Sequence, residues 1–66
     1  MPVYYKKLWI LIIEKEISKP QLRQKAKLSP ATLTKLNKNE YVSMDVLTRI
    51  CEVLKCDIGD IVQVVK

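Results

Sequence analysis

Three serines divide this chain into short helices. Ser18, Ser29 and Ser43 each stand just before a segment with apolar residues at helical spacing. At that position a hydroxyl accepts a hydrogen bond from the first, otherwise unpaired, N–H groups of a helix. Ser18 is followed three residues later by Gln21, the spacing of a capping box. Pro20 pushes the residue before it out of the α region, so the second helix begins either at the Ser18 cap or at Pro20. Ser29-Pro30 joins a cap to the residue favoured at the first helical position, where a missing N–H loses no bond. Ser43 is reinforced by Asp45, close to the positive end of the helix dipole. These signals predict a second helix running to Ala26, a third over Pro30–Asn37 and a fourth from the Ser43 cap to Lys55.

The apolar pattern places the core. Residues 6–16 suit a first helix with Leu8, Leu11 and Ile12 inward, together with the aliphatic stem of Lys15. Leu22 and Ala26 share the inner face of the second helix, and Leu33 and Leu36 point inward from the third. Val46, Leu47, Ile50, Cys51, Val53 and Leu54 make the apolar face of the fourth. Residues 38–42 read as a loop in which Asn39 can take a left-handed conformation. Residues 57–60 suit one turn of helix or a tight turn. The β-branched residues 61–65 read as a strand able to pair with residues 3–5. The expected fold is all-α, four to five short helices with a short β pairing of the termini, in one domain spanning residues 1–66.

The placement of charge narrows the function. The net charge is +5, from twelve basic and seven acidic residues. Between Ile17 and Asn39 lie six basic residues (Lys19, Arg23, Lys25, Lys27, Lys35 and Lys38) and no acidic one, while the rest of the chain is close to neutral. Charge kept only for solubility would be interspersed with acids. A focused basic segment points to a polyanion. Thr32, Thr34, Asn37 and Asn39 in the same segment can hydrogen-bond phosphates or base edges, and the helix N-termini near Ser18 and Ser29 aim N–H groups outward. Two short helices joined by the turn Lys27-Leu28-Ser29 form a helix-turn-helix, whose second helix enters the DNA major groove. RNA is disfavoured because the basic segment holds no aromatic residue on which a base could stack.

The inventory speaks against other classes. Histidine is absent and there is one glycine, so the commonest general base, a metal site and a phosphate-cradling loop are not expected, nor is any cofactor or catalytic residue. Cys51 and Cys56 are spaced for neither a redox motif nor a disulfide framework and read as small buried hydrophobes. The longest apolar run, residues 8–13, is far short of the roughly 20 residues that cross a bilayer. No membrane association and no small-molecule ligand are expected, and the reading is of a cytoplasmic protein.

The residues also carry a family resemblance. Ile17-Ser18-x-x-x-Leu22-x-x-x-Ala26-x-Leu28-Ser29-x-x-x-Leu33-x-x-Leu36 resembles the lambda-repressor/Cro (XRE-type) helix-turn-helix family. The flanks agree: an amphipathic helix first, then Val42-Ser43-x-x-x-Leu47-x-x-Ile50-Cys51-x-x-Leu54-x-Cys56 and Gly59-Asp60-Ile61. The resemblance covers residues 6–62 and implies a transcriptional regulator, a repressor, that binds duplex DNA. It implies base-edge contacts from Ala31, Thr32 and Lys35, with Pro30 and Thr34 at the margin. Ser18, Lys19, Ser29, Lys38 and Asn39 would hold phosphates, with Lys27 beside the DNA backbone. One departure stands out: the family usually places glycine at the position of Lys27, because the backbone there is left-handed, and a lysine in that conformation costs of order 1 kcal/mol.

Tyr5, Trp9 and Ile13, four residues apart, form a second stripe on the first helix. It either packs beneath the terminal strands or serves as the surface of a homodimer. A protein-binding module on the same fold, antitoxin-like or an adaptor, is the alternative function, although a protein groove would not require the acid-free basic segment.

Overall fold

The computed structural model describes residues 2–65, which form a short β1 (Val3–Tyr4), four helices, a 3₁₀ turn over Ile58–Asp60 and a closing β2 (Gln63–Val64). The helices are α1 (Lys6–Glu14), α2 (Lys19–Lys25), α3 (Pro30–Asn37) and α4 (Met44–Leu54). All three serine caps are in place. Ser18, Ser29 and Ser43 have extended backbones, and their hydroxyls accept from the N–H of Gln21, Thr32 and Val46 at 3.2, 3.1 and 3.2 Å. At Ser18 the capping box is complete, because Gln21 Oε1 accepts from the Ser18 N–H at 2.9 Å. Pro20 is accommodated inside the first turn, and α2 begins at Lys19.

The helix ends share a solution that the sparse glycine content conceals. Glu16, Lys27, Asn39 and Lys55 all have positive φ, between 53° and 57°. Each follows the end of a helix, and the next residue reaches back five positions to close it. Ile17 N–H bonds to Ile12 O (2.8 Å), Leu28 to Arg23 (2.9 Å), Glu40 to Lys35 (2.9 Å) and Cys56 to Cys51 (3.1 Å). This six-to-one closure is the Schellman motif, normally completed by glycine. It explains why α1 ends at Glu14 and not at Glu16: a left-handed Glu16 reverses the chain two residues early. Left-handed strain of about 1–2 kcal/mol, less the roughly 0.5–1 kcal/mol of chain entropy that a glycine would add, leaves a net penalty of about 1 kcal/mol. Lys27→Gly is therefore expected to raise Tm by about 4–8 °C in a thermal circular dichroism scan. An unchanged or lower Tm would show that this turn carries no strain.

The core is one cluster built from every helix: Leu8 and Ile12 of α1, Leu22 of α2, Leu36 of α3, and Val46, Leu47, Ile50 and Leu54 of α4, with Tyr5, Ala26, Leu28 and Ile61 around them. Leu11, Cys51, Val53 and Cys56, expected inside, pack against its edge and remain half-exposed, and Leu33, also expected inside, is half-exposed. Lys15 is exposed beyond the end of α1, because the helix stops before its stem can turn inward. The termini pair antiparallel, Val3 opposite Val64 and Tyr4 opposite Gln63. The second strand is shorter than the β-branched run predicts. Ile61 is fully buried at the end of the 3₁₀ turn, where its N–H bonds to Ile58 O at 3.0 Å, so pairing begins only at Gln63.

Candidate nucleic-acid interface

The turn between α2 and α3 is braced from α4. Arg49 Nη1 donates to the carbonyls of Lys27 (2.9 Å) and Ala26 (3.4 Å), acceptors at the end of α2 that lack helical donors. The same guanidinium is held by Asp45, four residues earlier on α4, through an ion pair of 3.0 Å between Nη2 and Oδ2. Arg49 thus stabilises the strained Lys27 turn and fixes how α3 follows α2. Apolar periodicity gives no sign of this role, although the Asp45/Arg49 spacing of four on one helix was a visible signal.

With Leu36 buried and Leu33 half-buried, α3 turns Ala31, Thr34, Lys35 and Lys38 outward, a stripe at helical spacing. The five residues expected at base edges differ in what they can still offer. Lys35 is exposed, and the only ion pair among the described residues is Arg49–Asp45, so its ammonium is available. Thr34 is exposed, but its hydroxyl donates to Pro30 O at 3.0 Å, which leaves it an acceptor and a methyl. Thr32 is half-buried and its hydroxyl shares a 2.9 Å hydrogen bond with that of Ser29. Ala31 and Pro30 are exposed and apolar.

The residues expected at phosphates lie around this stripe. Lys27 and Lys38 are exposed on either side of α3. Ser18 and Ser29 are occupied as caps, so each offers a hydroxyl already accepting one bond. Asn39 Oδ1 accepts from the Tyr5 N–H at 3.2 Å, which ties the start of α1 to the end of α3 and leaves the amide NH₂ of Asn39 to donate. Lys19 is the most constrained: its ammonium lies 4.2 Å from the Trp9 ring centroid and donates to Asn37 Oδ1 at 2.8 Å. This contact links α1, α2 and α3 through one cation.

The Tyr5/Trp9/Ile13 stripe does not hold together as a surface. Tyr5 is 2% exposed and belongs to the core; its hydroxyl donates to Glu40 O at 2.7 Å. It is the N-cap of α1, with φ −113° and ψ 22°, so helical spacing does not carry from it to Trp9. Trp9 is half-buried beneath Lys19, and Ile13 alone is strongly exposed.

Away from this face, Cys51 and Cys56 are free, half-buried thiols. Burial, with Cys56 beside it, pushes the Cys51 thiol up to about 11, and burial also raises Cys56. Both are poor nucleophiles at neutral pH. No helix among the described residues is long and apolar enough to cross a membrane.

A family model, the Cro/C1-type HTH DNA-binding domain, matches residues 7–66, nearly the whole chain. The chain belongs to the Cro/C1-type helix-turn-helix family. Among solved structures, the Cro/C1-type fold described above is similar to the crystal structure of transcriptional regulator VanUg, form II. The two share 48% identity and a TM-score of 0.92, over 94% of this chain and 83% of that one. No curated protein matches significantly. The Cro/C1-type domain is a DNA-binding unit and not an enzyme.

Proposed function

We propose that this Cro/C1-type domain is a sequence-specific transcriptional regulator that places α3 in the DNA major groove and acts as a repressor. The observation that carries the reading is the coincidence of shape and charge. The acid-free segment of residues 17–39 is also the segment folded as α2, turn and α3, and its exposed stripe ends in Lys35 and Lys38. Similarity to a transcriptional regulator supports the regulatory role. A DNA-binding domain seated on a promoter competes with the polymerase for the same DNA, which favours repression.

Lys35 is the candidate for reading guanine through O6 and N7, Thr34 offers an acceptor to an exocyclic amine, and Ala31 offers a methyl to thymine. Lys27, Lys38, Asn39 and the caps at Ser18 and Ser29 hold the backbone, while Lys19 orients α2 through Trp9 and Asn37. Two copies would read half-sites about one helical turn, roughly 34 Å, apart.

Selection of the purified protein against random duplex DNA at about 150 mM salt tests the proposal, since specific binding must survive physiological screening. Enrichment of a symmetric motif is expected. No enrichment by a folded protein would replace DNA reading with recognition of a protein partner. On the selected site, Lys35→Ala is expected to relax preference at one base pair per half-site by about 1–3 kcal/mol. Equal weakening on every sequence would make Lys35 a phosphate contact instead.

A further inference from the structure

The charges of α1 run against its own dipole. Its first turn holds Lys6 and Lys7 with no acidic residue, and its last turn holds Glu14 with no basic one. Cations at the positive end and an anion at the negative end of a helix are both unfavourable. The face opposite the buried Leu8 and Ile12 carries Lys6, Ile10, Ile13 and Glu14. Ile10 is 46% and Ile13 72% exposed. Lys6 and Glu14 each stand four residues from Ile10, so they flank it by about 6 Å on either side along the axis. At about 12 Å apart they do not pair with each other, and neither makes an ion pair with another described residue. Lys7, by contrast, reaches back to Gly59 O at 3.4 Å.

We infer that this face of α1 is where two copies of the chain meet, antiparallel, about a two-fold axis beside Ile10. The pattern is self-complementary in that arrangement, as a two-fold contact requires. Each Lys6 faces the second copy's Glu14, Ile10 meets Ile10, and Ile13 of each copy lies on the same flank of the axis as Ile13 of the other. Antiparallel packing also sets the positive end of each helix against the negative end of its partner. Charges that oppose their own helix dipole then match the neighbouring one. Neither an anionic membrane nor a uniformly charged partner satisfies both Lys6 and Glu14. The contact is small, one nine-residue helix on another. It is therefore weak in free solution and strengthened when two copies share one DNA. Its role rests on the two-copy DNA reading proposed above, for which it supplies the surface.

Sedimentation equilibrium of the full chain without DNA, at concentrations up to about 1 mM, is the test, because interfaces this small fall in the weak class. Wild type is expected to dimerise reversibly. Lys6→Glu and Glu14→Lys each place like charges together twice across the axis, and each is expected to raise Kd about tenfold or more. Both substitutions improve the match to the α1 dipole, so lost association would not reflect lost helix, which circular dichroism checks. When the two variants are mixed, both contacts across the axis again join one acid to one base. The mixture is expected to restore wild-type affinity in a heterodimer. Ile13→Lys is expected to abolish association without help from either charge variant. A wild type monomeric throughout, or a mixture no tighter than its components, overturns the inference. A wild type that dimerises but selects no DNA would remove the DNA reading and leave this surface standing.

Discussion

Leu36→Ala is expected to lower Tm by about 15–25 °C, the largest loss of stability that a single truncation of α3 would cause. Leu36 is fully buried, and it is the only fully buried residue α3 contributes. A chain of 66 residues buries only about 60% of its unfolded surface. At about 0.05–0.15 kcal/mol per residue its total stability is of order 3–10 kcal/mol. Removing a buried leucine costs about 2–5 kcal/mol, because transfer energy is lost and a cavity is left. At the lower end of the stability range, a substantial unfolded fraction would be present at 25 °C. Thermal unfolding followed by circular dichroism measures the change, with Met44→Ala as the control. Met44 is exposed, and its truncation should stay within about 0.5 kcal/mol. A drop of less than about 5 °C for Leu36→Ala would mean that α3 is seated by its ends and not by its inner face.

What could be read from the sequence follows from which interactions are local. The caps were readable because a serine hydroxyl meets an N–H three residues away, and the start of the third helix at Pro30 followed from Ser29-Pro30. Leu8, Leu22, Leu36 and Ile50 were readable as core from spacing. Helix ends were harder. Glu16 and Lys55 take the left-handed conformation without a glycine to announce it, and only the expectation at Asn39 and the family resemblance at Lys27 anticipated the pattern. Contacts between distant segments left the least trace. Tyr5 bonds to Glu40 across 35 residues and Arg49 to Lys27 across 22. No local rule turns Tyr5 inward, so the helical stripe through Trp9 and Ile13 left it between packing beneath the terminal strands and a dimer surface. At the interface, residue types pointed to DNA, but hydrogen bonding within the fold decided which groups stay free. Thr34 gives up its donor to Pro30, and Lys19 is held by Trp9 and Asn37, whereas Lys35 and Lys38 remain exposed.

Raising salt from 50 to 200 mM is expected to weaken binding to the selected symmetric site by about 10³–10⁴-fold. Six basic residues lie between Ile17 and Asn39, and of these Lys19 is engaged by neighbouring side chains. If about three or four phosphates are neutralised by each copy, a pair neutralises about 6–8, and log K falls against log salt with a slope near roughly −5 to −7. This dependence comes from counterions released by the DNA and does not depend on which bases are read. Lys38→Ala should therefore flatten the slope by about two for a pair of copies and weaken all sequences alike. Lys35→Ala, in contrast, should alter preference at one base pair. Fluorescence anisotropy titrations across a salt series on the selected site and on scrambled DNA separate the two effects. A slope near zero on both would remove electrostatic capture as the mechanism. A normal slope that Lys38→Ala leaves unchanged would move the phosphate contacts away from the end of α3, toward Lys25 and Lys27 at the end of α2.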